Sequence, residues 1–262
     1  METVAKLLAR KNKEKITMLT VYSASIATVL NNTDIDMLLI GDSLGTVFQG
    51  KKDTISVTLE EMIYHGSVVR RGAPDKFLVV DLPFMSYQVN AEESLINAGQ
   101  IMKQTGANAV KLEGASAVVL ESIRKMTAAG IPVVAHLGFT PQSVNGLSGY
   151  KVQGKDDPSA EKIKSEAKLV ETAGAFMVTL EMVPAKLAKE ITQELSIPTI
   201  GIGAGADCDG QVLVIDDMLG LYPGAPKFVK RYADLDKQVA QAAANYIKEV
   251  KAQQFPDAAH SF

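Results

Sequence analysis

Short runs of apolar residues recur along this chain, each followed by a longer segment with helical spacing. The runs are Ile16–Tyr22, Met37–Asp42, Phe77–Asp81, Ala109–Glu113, Pro132–His136, Phe176–Glu181 and Pro198–Ile202. Nearly continuous apolar runs of this length suit strands buried on both faces of a parallel sheet. The intervening segments predict helices over Ser23–Leu30, Leu59–Arg71, Glu92–Thr105, Ser116–Ala129, Ser159–Ala173, Pro184–Leu195 and Asp207–Leu219. Several run into a glycine, as helices often do: Gly72, Gly106, Gly130, Gly174 and Gly220. The same rule carried further predicts Lys227–Tyr232 as an eighth strand and Leu235–Val250 as a closing helix. Gln211–Ile215 is apolar enough for a strand, but it follows Pro198–Ile202 too closely to leave room for a crossover helix, so it is predicted helical. Eight strands alternating with eight helices imply an α/β fold, a single (β/α)8 TIM barrel over residues 1–262. A doubly wound open sheet is the fallback.

Composition narrows the function classes. A formal net charge of −3, with no basic stripe, argues against nucleic acid as a partner. Cys208 is the single cysteine, so no intrachain disulfide can form, which fits a reducing compartment. Met1–Lys15 mixes apolar and charged residues and lacks the apolar core of a signal peptide. No stretch approaches the roughly 18 apolar residues of a membrane span. A cytoplasmic location is expected.

The chemistry lies in what ends each apolar run. The second gives Gly41-Asp42-Ser43, the third Asp81-Leu82-Pro83, and the fourth Lys111-Leu112-Glu113-Gly114. The fifth gives His136-Leu137-Gly138, and the sixth ends in Glu181. In a barrel these carboxyl ends converge on one mouth, where active sites lie. Lys111 and Glu113 are two apart, so both point to the same side of their strand. The connections Ser43–Thr58 and Leu137–Pro158 leave the same end and are long, as functional loops often are.

A single acid at a strand end is more often a helix cap or an ion-pair partner. Five polar strand ends in one barrel are not all explained that way. Buried carboxylates are costly unless something positive sits among them. Lys111 offsets one charge, and a hard divalent cation would offset the rest. Oxygen ligands favour Mg2+ over zinc, and Mg2+ takes one or two carboxylates plus water and substrate. His136 alone could be a satisfied core histidine, and His65 lies mid-helix. Cys208 has no evident base beside it in sequence and makes a poor nucleophile. Gly201–Gly205 lacks the spacing of a dinucleotide fingerprint. Tight backbone packing and close approach to a ligand are equally open there.

Taken together and in order, the runs Leu39–Gly45, Asp81–Phe84, Val110–Gly114, His136–Ser143, Gly149–Gly154, Gly201–Gly205, Asp209–Val214 and Pro226–Lys230 resemble the ketopantoate hydroxymethyltransferases. The resemblance extends from about Leu19 to Phe262. It implies transfer of a one-carbon unit from methylenetetrahydrofolate to 3-methyl-2-oxobutanoate, giving 2-dehydropantoate, with Mg2+ and commonly a homodecamer. It implies a metal site of Asp42, Asp81 and Glu113, and oxo-acid contacts from Asp42, Ser43, Asp81 and Lys111. Glu181 is the implied general base, and His136 lines the pocket. The chain departs from the family pattern at Ser23, where aspartate is usual, at Ser148, where glycine is usual, and at Asp216, where histidine is usual.

The chemistry suits these residues without the resemblance. A 2-oxo acid chelates a metal through its keto and carboxylate oxygens, and the ion stabilises the enolate left when the C3 proton departs. A positioned carboxylate can remove that proton. Two other readings are a Mg2+-dependent lyase or mutase of the phosphoenolpyruvate mutase and isocitrate lyase type, and a non-catalytic barrel. The cysteine motif of the lyase branch is absent, and the intact acidic set argues against a non-catalytic role.

Overall fold

The computed structural model describes residues 2–262. Its strands are β1 (Ile16–Thr20), β2 (Met37–Ile40), β3 (Phe77–Asp81), β4 (Ala109–Glu113), β5 (Val133–Gly138), β6 (Met177–Glu181), β7 (Thr199–Ile202) and β8 (Gly210–Leu213). All neighbouring pairs are parallel, and β8 returns to pair with β1, closing the barrel. Every residue of β2, β3 and β4 is buried, which is why these strands read as unbroken apolar runs.

The helices are α1 (Val4–Ala9), α2 (Ala24–Asn31), α3 (Leu44–Val47), α4 (Leu59–Gly72), α5 (Ala91–Thr105), α6 (Ala117–Ala128), α7 (Asp157–Ala173), α8 (Ala185–Glu194), α9 (Ile215–Leu219) and α10 (Leu235–Lys251). Their starts follow from local chemistry. Thr58 caps α4 in a box with Glu61, and Asp156 caps α7 in a box with Ser159. Ser23, where the family usually has aspartate, accepts a bond from the Ile26 backbone and caps α2.

The eighth strand is not Lys227–Tyr232, which forms no strand, but Gly210–Leu213, inside the segment predicted helical. The helix of that segment is confined to Ile215–Leu219. No crossover helix is needed there, because β7 and β8 have only four residues each. Four residues rise about 13 Å, and the extended chain covers about 3.3–3.6 Å per residue. Residues 203–209 therefore make the return without a helix, turning through positive φ at Gly203 and Gly205.

The described residues divide into two compact units, the first ending at Val214 and containing the whole barrel, the second covering Ile215–Phe262. In the second, the Tyr232 backbone bonds to the Met218 carbonyl, and Arg231 ties down the Tyr222 and Gly224 carbonyls. Helix α10 buries none of its residues, although Val239, Tyr246, Ile247 and Val250 lie along it. Asp216 is buried with Oδ2 unpaired, and burial pushes its pKa up to about 6.

Candidate active site

Strand register assembles the site. Asp81 is opposite Lys111 across β3 and β4, Glu113 opposite His136 across β4 and β5, and Gly138 opposite Glu181 across β5 and β6. Asp42 and Ser43 follow β2 directly. The residues predicted from strand ends therefore occupy consecutive strands at the carboxyl end of one barrel.

Lys111 Nζ lies 2.5 Å from Asp81 Oδ1 with both side chains buried. The other Asp81 oxygen accepts from the Asp42 backbone N–H at 3.1 Å. Burial pushes the Asp81 carboxyl up, Lys111 opposes this in part, and the net shift is upward. Burial pulls the Lys111 ammonium down, but the charges of Asp81, Glu113 and Asp42 outweigh it and hold the lysine protonated. Asp42 is pushed up to about 8, first by burial and then by Glu113 and Asp81. Its one side-chain hydrogen bond comes from Gln142 Nε2 to Oδ2 at 2.8 Å.

His136 lies between two carboxylates. Nδ1 is 3.4 Å from Glu113 Oε1, and Nε2 is 3.3 Å from Glu181 Oε2. These are ion-pair contacts without good hydrogen-bond geometry, and both ring nitrogens and Glu113 Oε1 lack a directed partner. Burial would lower the imidazole pKa, yet the two carboxylates raise it to about 9. Glu181 is the most exposed of the three, with its side chain 15% accessible. Ser43 Oγ shares a hydrogen bond of 2.8 Å with the Tyr22 hydroxyl.

Sequence reasoning missed two members of the site. Gln142 and Tyr87 are buried, and Tyr87 donates to Gln142 Oε1 at 2.6 Å. Gln142 belongs to the family-like run His136–Ser143, so that signal was present. Tyr87 lies in the segment after β3, where no period or spacing marks it. Cys208 and His65 play no part in this cluster: Cys208 is buried, and His65 Nδ1 bonds to the Tyr22 carbonyl.

Among the described residues, no three His, Cys, Asp or Glu side chains form a ready-made metal cage. Mg2+ requires fewer protein ligands, one or two carboxylates with water and substrate completing the shell. Asp42 and Asp81 meet that requirement. Asp42 has an oxygen that accepts no hydrogen bond, and Glu113 Oε1 is buried without a donor. The donor set is all oxygen and rich in negative charge, and it fits the ion.

A closed parallel barrel with charged side chains gathered at its carboxyl end defines a barrel enzyme acting on small molecules. The chain belongs to the ketopantoate hydroxymethyltransferase family, whose model matches residues 1–258, and it is an enzyme that transfers a one-carbon unit. It is 54% identical over 254 residues to the 3-methyl-2-oxobutanoate hydroxymethyltransferase of Syntrophus aciditrophicus (strain SB), covering 97% of this chain and 93% of the relative. The enzyme of that name from Geobacillus sp. (strain WCH70) is 55% identical, covering 97% and 91%. Among solved structures, 2,3-dimethylmalate lyase of the PEP mutase/isocitrate lyase superfamily has a TM-score of 0.60 at 16% identity, covering 96% of this chain and 89% of that one. A phosphonopyruvate hydrolase complex with oxalate and Mg2+ has a TM-score of 0.63 at 10% identity, covering 99% and 93%. These two share the fold, so the lyase or mutase reading survives as a fold relationship alone.

Proposed function

We propose that this chain transfers a hydroxymethyl group from methylenetetrahydrofolate to 3-methyl-2-oxobutanoate, giving 2-dehydropantoate, with Glu181 as the base and Asp42 and Asp81 as the metal ligands. The observation that carries the reading is the division of the mouth. A pair of buried carboxylates lies just after β2 and at the end of β3, a more exposed carboxylate ends β6, and the Glu113–His136 pair stands between them. Mg2+ held by Asp42 and Asp81, with Glu113 beside it, would act as a Lewis acid toward the 2-oxo acid. That the phosphonopyruvate hydrolase was solved with Mg2+ and oxalate, on a barrel of the same kind, supports this reading.

The protein residues do the rest. Lys111, kept protonated by its neighbours, offers positive charge to the substrate's carboxylate or oxo oxygen while fixing Asp81. Ser43, oriented by Tyr22, offers a hydroxyl to the same substrate. Glu181 takes the C3 proton. His136, as an imidazolium, holds one Glu181 oxygen by charge and leaves the other for the proton. The segment Leu137–Pro158 covers the mouth in this reading, and Tyr150 within it stacks on Phe139 with ring centroids 5.0 Å apart.

A homodecamer belongs to the same proposal, supported by the apolar residues that α10 leaves exposed. So does a cytoplasmic location. No helix among the described residues is long and apolar enough to cross a membrane.

The test is exchange of the C3 proton of 3-methyl-2-oxobutanoate in heavy water with Mg2+ and no folate. Wild type exchanges, and Glu181→Gln should slow exchange by about 10²–10⁴-fold at unchanged oxo-acid affinity. Equal rates would move the base elsewhere, with His136 next in line.

A further inference from the structure

Gln142 lies in the short 3-10 turn Pro141–Ser143, just after β5, and is buried. An amide side chain offers two N–H donors and one oxygen with two lone pairs. All four are used here. Nε2 donates to Asp42 Oδ2 at 2.8 Å and to the Leu82 carbonyl at 3.0 Å. Oε1 accepts from the Tyr87 hydroxyl at 2.6 Å and from Gln88 Nε2 at 3.1 Å. The amide cannot be turned over, because the Leu82 carbonyl that Nε2 faces only accepts.

The direction of the chain is fixed further back. The Glu113 backbone N–H donates to the Tyr87 oxygen at 3.1 Å, and the Tyr87 proton is directed at Gln142 Oε1, 2.6 Å away, rather than at the Glu113 carbonyl at 3.4 Å. The backbone N–H of Gln142 itself donates to Glu113 Oε2 at 3.1 Å. One residue on the β5 loop therefore holds a carboxylate from β2 and a carboxylate from β4, and in each case it occupies a single oxygen. Asp42 Oδ1 is left without a hydrogen-bond donor, and Glu113 Oε1 is left beside His136 Nδ1 at 3.4 Å.

We propose that Gln142, braced by Tyr87, is a positioning residue that fixes which oxygen of Asp42 is presented to the cation. Partners in the outer shell orient metal-binding carboxylates, and losing one typically costs about 10–100-fold in metal affinity or activity. Without the amide, Asp42 rotates about its own axis and can offer either oxygen or both, so the site must be ordered again at each binding event. The proposal rests on Asp42 being a metal ligand, and its test separates the two claims.

The experiment measures Mn2+ binding to the full chain by electron paramagnetic resonance in the presence of 3-methyl-2-oxobutanoate, for wild type, Gln142→Met, Tyr87→Phe and Asp42→Asn. Methionine keeps the length of the side chain and removes both donors. Gln142→Met should weaken Mn2+ binding about 10–100-fold, and Tyr87→Phe about tenfold. Turnover of Gln142→Met should recover at high Mg2+, whereas a simple packing defect lowers kcat at every metal concentration. Asp42→Asn weak and Gln142→Met normal overturns the positioning role and leaves the metal assignment standing. Asp42→Asn normal overturns both. A kcat loss in Gln142→Met that no Mg2+ concentration restores also overturns the role. If Gln142→Met gives no cooperative unfolding transition, Tyr87→Phe decides, and wild-type Mn2+ affinity in that variant overturns it.

Discussion

Asp209, just before β8, and Asp42, just after β2, are aspartates 4% and 3% exposed at opposite ends of the barrel. Asp209 accepts from Lys11 Nζ at 2.8 Å, the Asn12 backbone at 2.9 Å, the Thr199 backbone at 2.9 Å and the Thr199 hydroxyl at 3.2 Å. Burial would raise its pKa, but these donors outweigh it and the net shift is downward. Asp36, at the same end, accepts from both Arg10 terminal nitrogens and from the backbone and hydroxyl of Thr17. It too is pulled below the ordinary range against the effect of burial. Asp42 has a single side-chain donor, and burial carries its pKa to about 8. A carboxylate whose lone pairs are filled by the protein ties elements together. One left short of donors waits for something else to supply positive charge. The contrast separates the end that holds the barrel closed from the end proposed to bind.

The largest effect in the comparison is expected at Asp81, which belongs to both descriptions. It is a proposed ligand, and it also pairs with buried Lys111. Asp81→Ala should destabilise the protein by up to about 3–5 kcal/mol, the cost of taking the direct partner from a buried pair, with Glu113 and Asp42 left to offset part of the Lys111 charge. It should also abolish metal-dependent oxo-acid binding. Replacing the pair together, as Asp81→Leu with Lys111→Met, should recover most of the stability and none of the binding. Chemical denaturation and calorimetry on the two variants check this. Stability lost equally in both would mean that packing, not charge, holds that part of the mouth.

A smaller effect is expected at Asp36. Asp36→Asn weakens its bonds to Arg10 and Thr17, each worth about 1.5–3 kcal/mol when charge-assisted, and leaves the mouth intact. The sign of the pH dependence follows from the downward shift. The contribution of Asp36 is fully present above the ordinary aspartate range near 3.8 and is lost as pH falls through its lower folded value. Asp36→Asn should therefore flatten the acid limb of the stability curve below about pH 4 and lower the plateau at neutral pH. An unchanged acid limb in denaturation midpoints measured from pH 2.5 to 7 would remove Asp36 from the closing network.

Much of the clustering at the proposed binding end was legible in the sequence, and little of the closing end was. The mouth announces itself because polar residues at strand ends interrupt apolar runs, and Asp42, Asp81, Lys111, Glu113, His136 and Glu181 all stand at such breaks. Arg10, Lys11 and Asp36 lie in polar stretches where any charge looks like a solvated surface. Only the tertiary arrangement shows that Lys11 reaches Asp209, nearly two hundred residues away. The eighth strand was misplaced because a rule for crossover length was applied to strands too short to need one. Gln142 could not be read from its type, since a glutamine in a loop is ordinarily solvent-facing. Its role exists only because β2, β4 and the β5 loop meet. Ser148 holds a left-handed conformation, φ 57, where the family usually has glycine, so the family pattern located a backbone constraint that this chain meets with a less suited residue.

The most direct test of the contrast is a single pair of variants with two readouts. Asp209→Asn and Asp42→Asn make the same chemical change at equally buried positions. The account predicts that Asp209→Asn, which leaves Lys11 the Thr192 carbonyl but no carboxylate, loses up to about 3–5 kcal/mol of unfolding free energy and still binds 3-methyl-2-oxobutanoate with Mg2+ while folded. It predicts that metal-free Asp42→Asn keeps or gains stability and loses that binding. Equal destabilisation of the two variants, with Mg2+-assisted binding intact in Asp42→Asn, would contradict it.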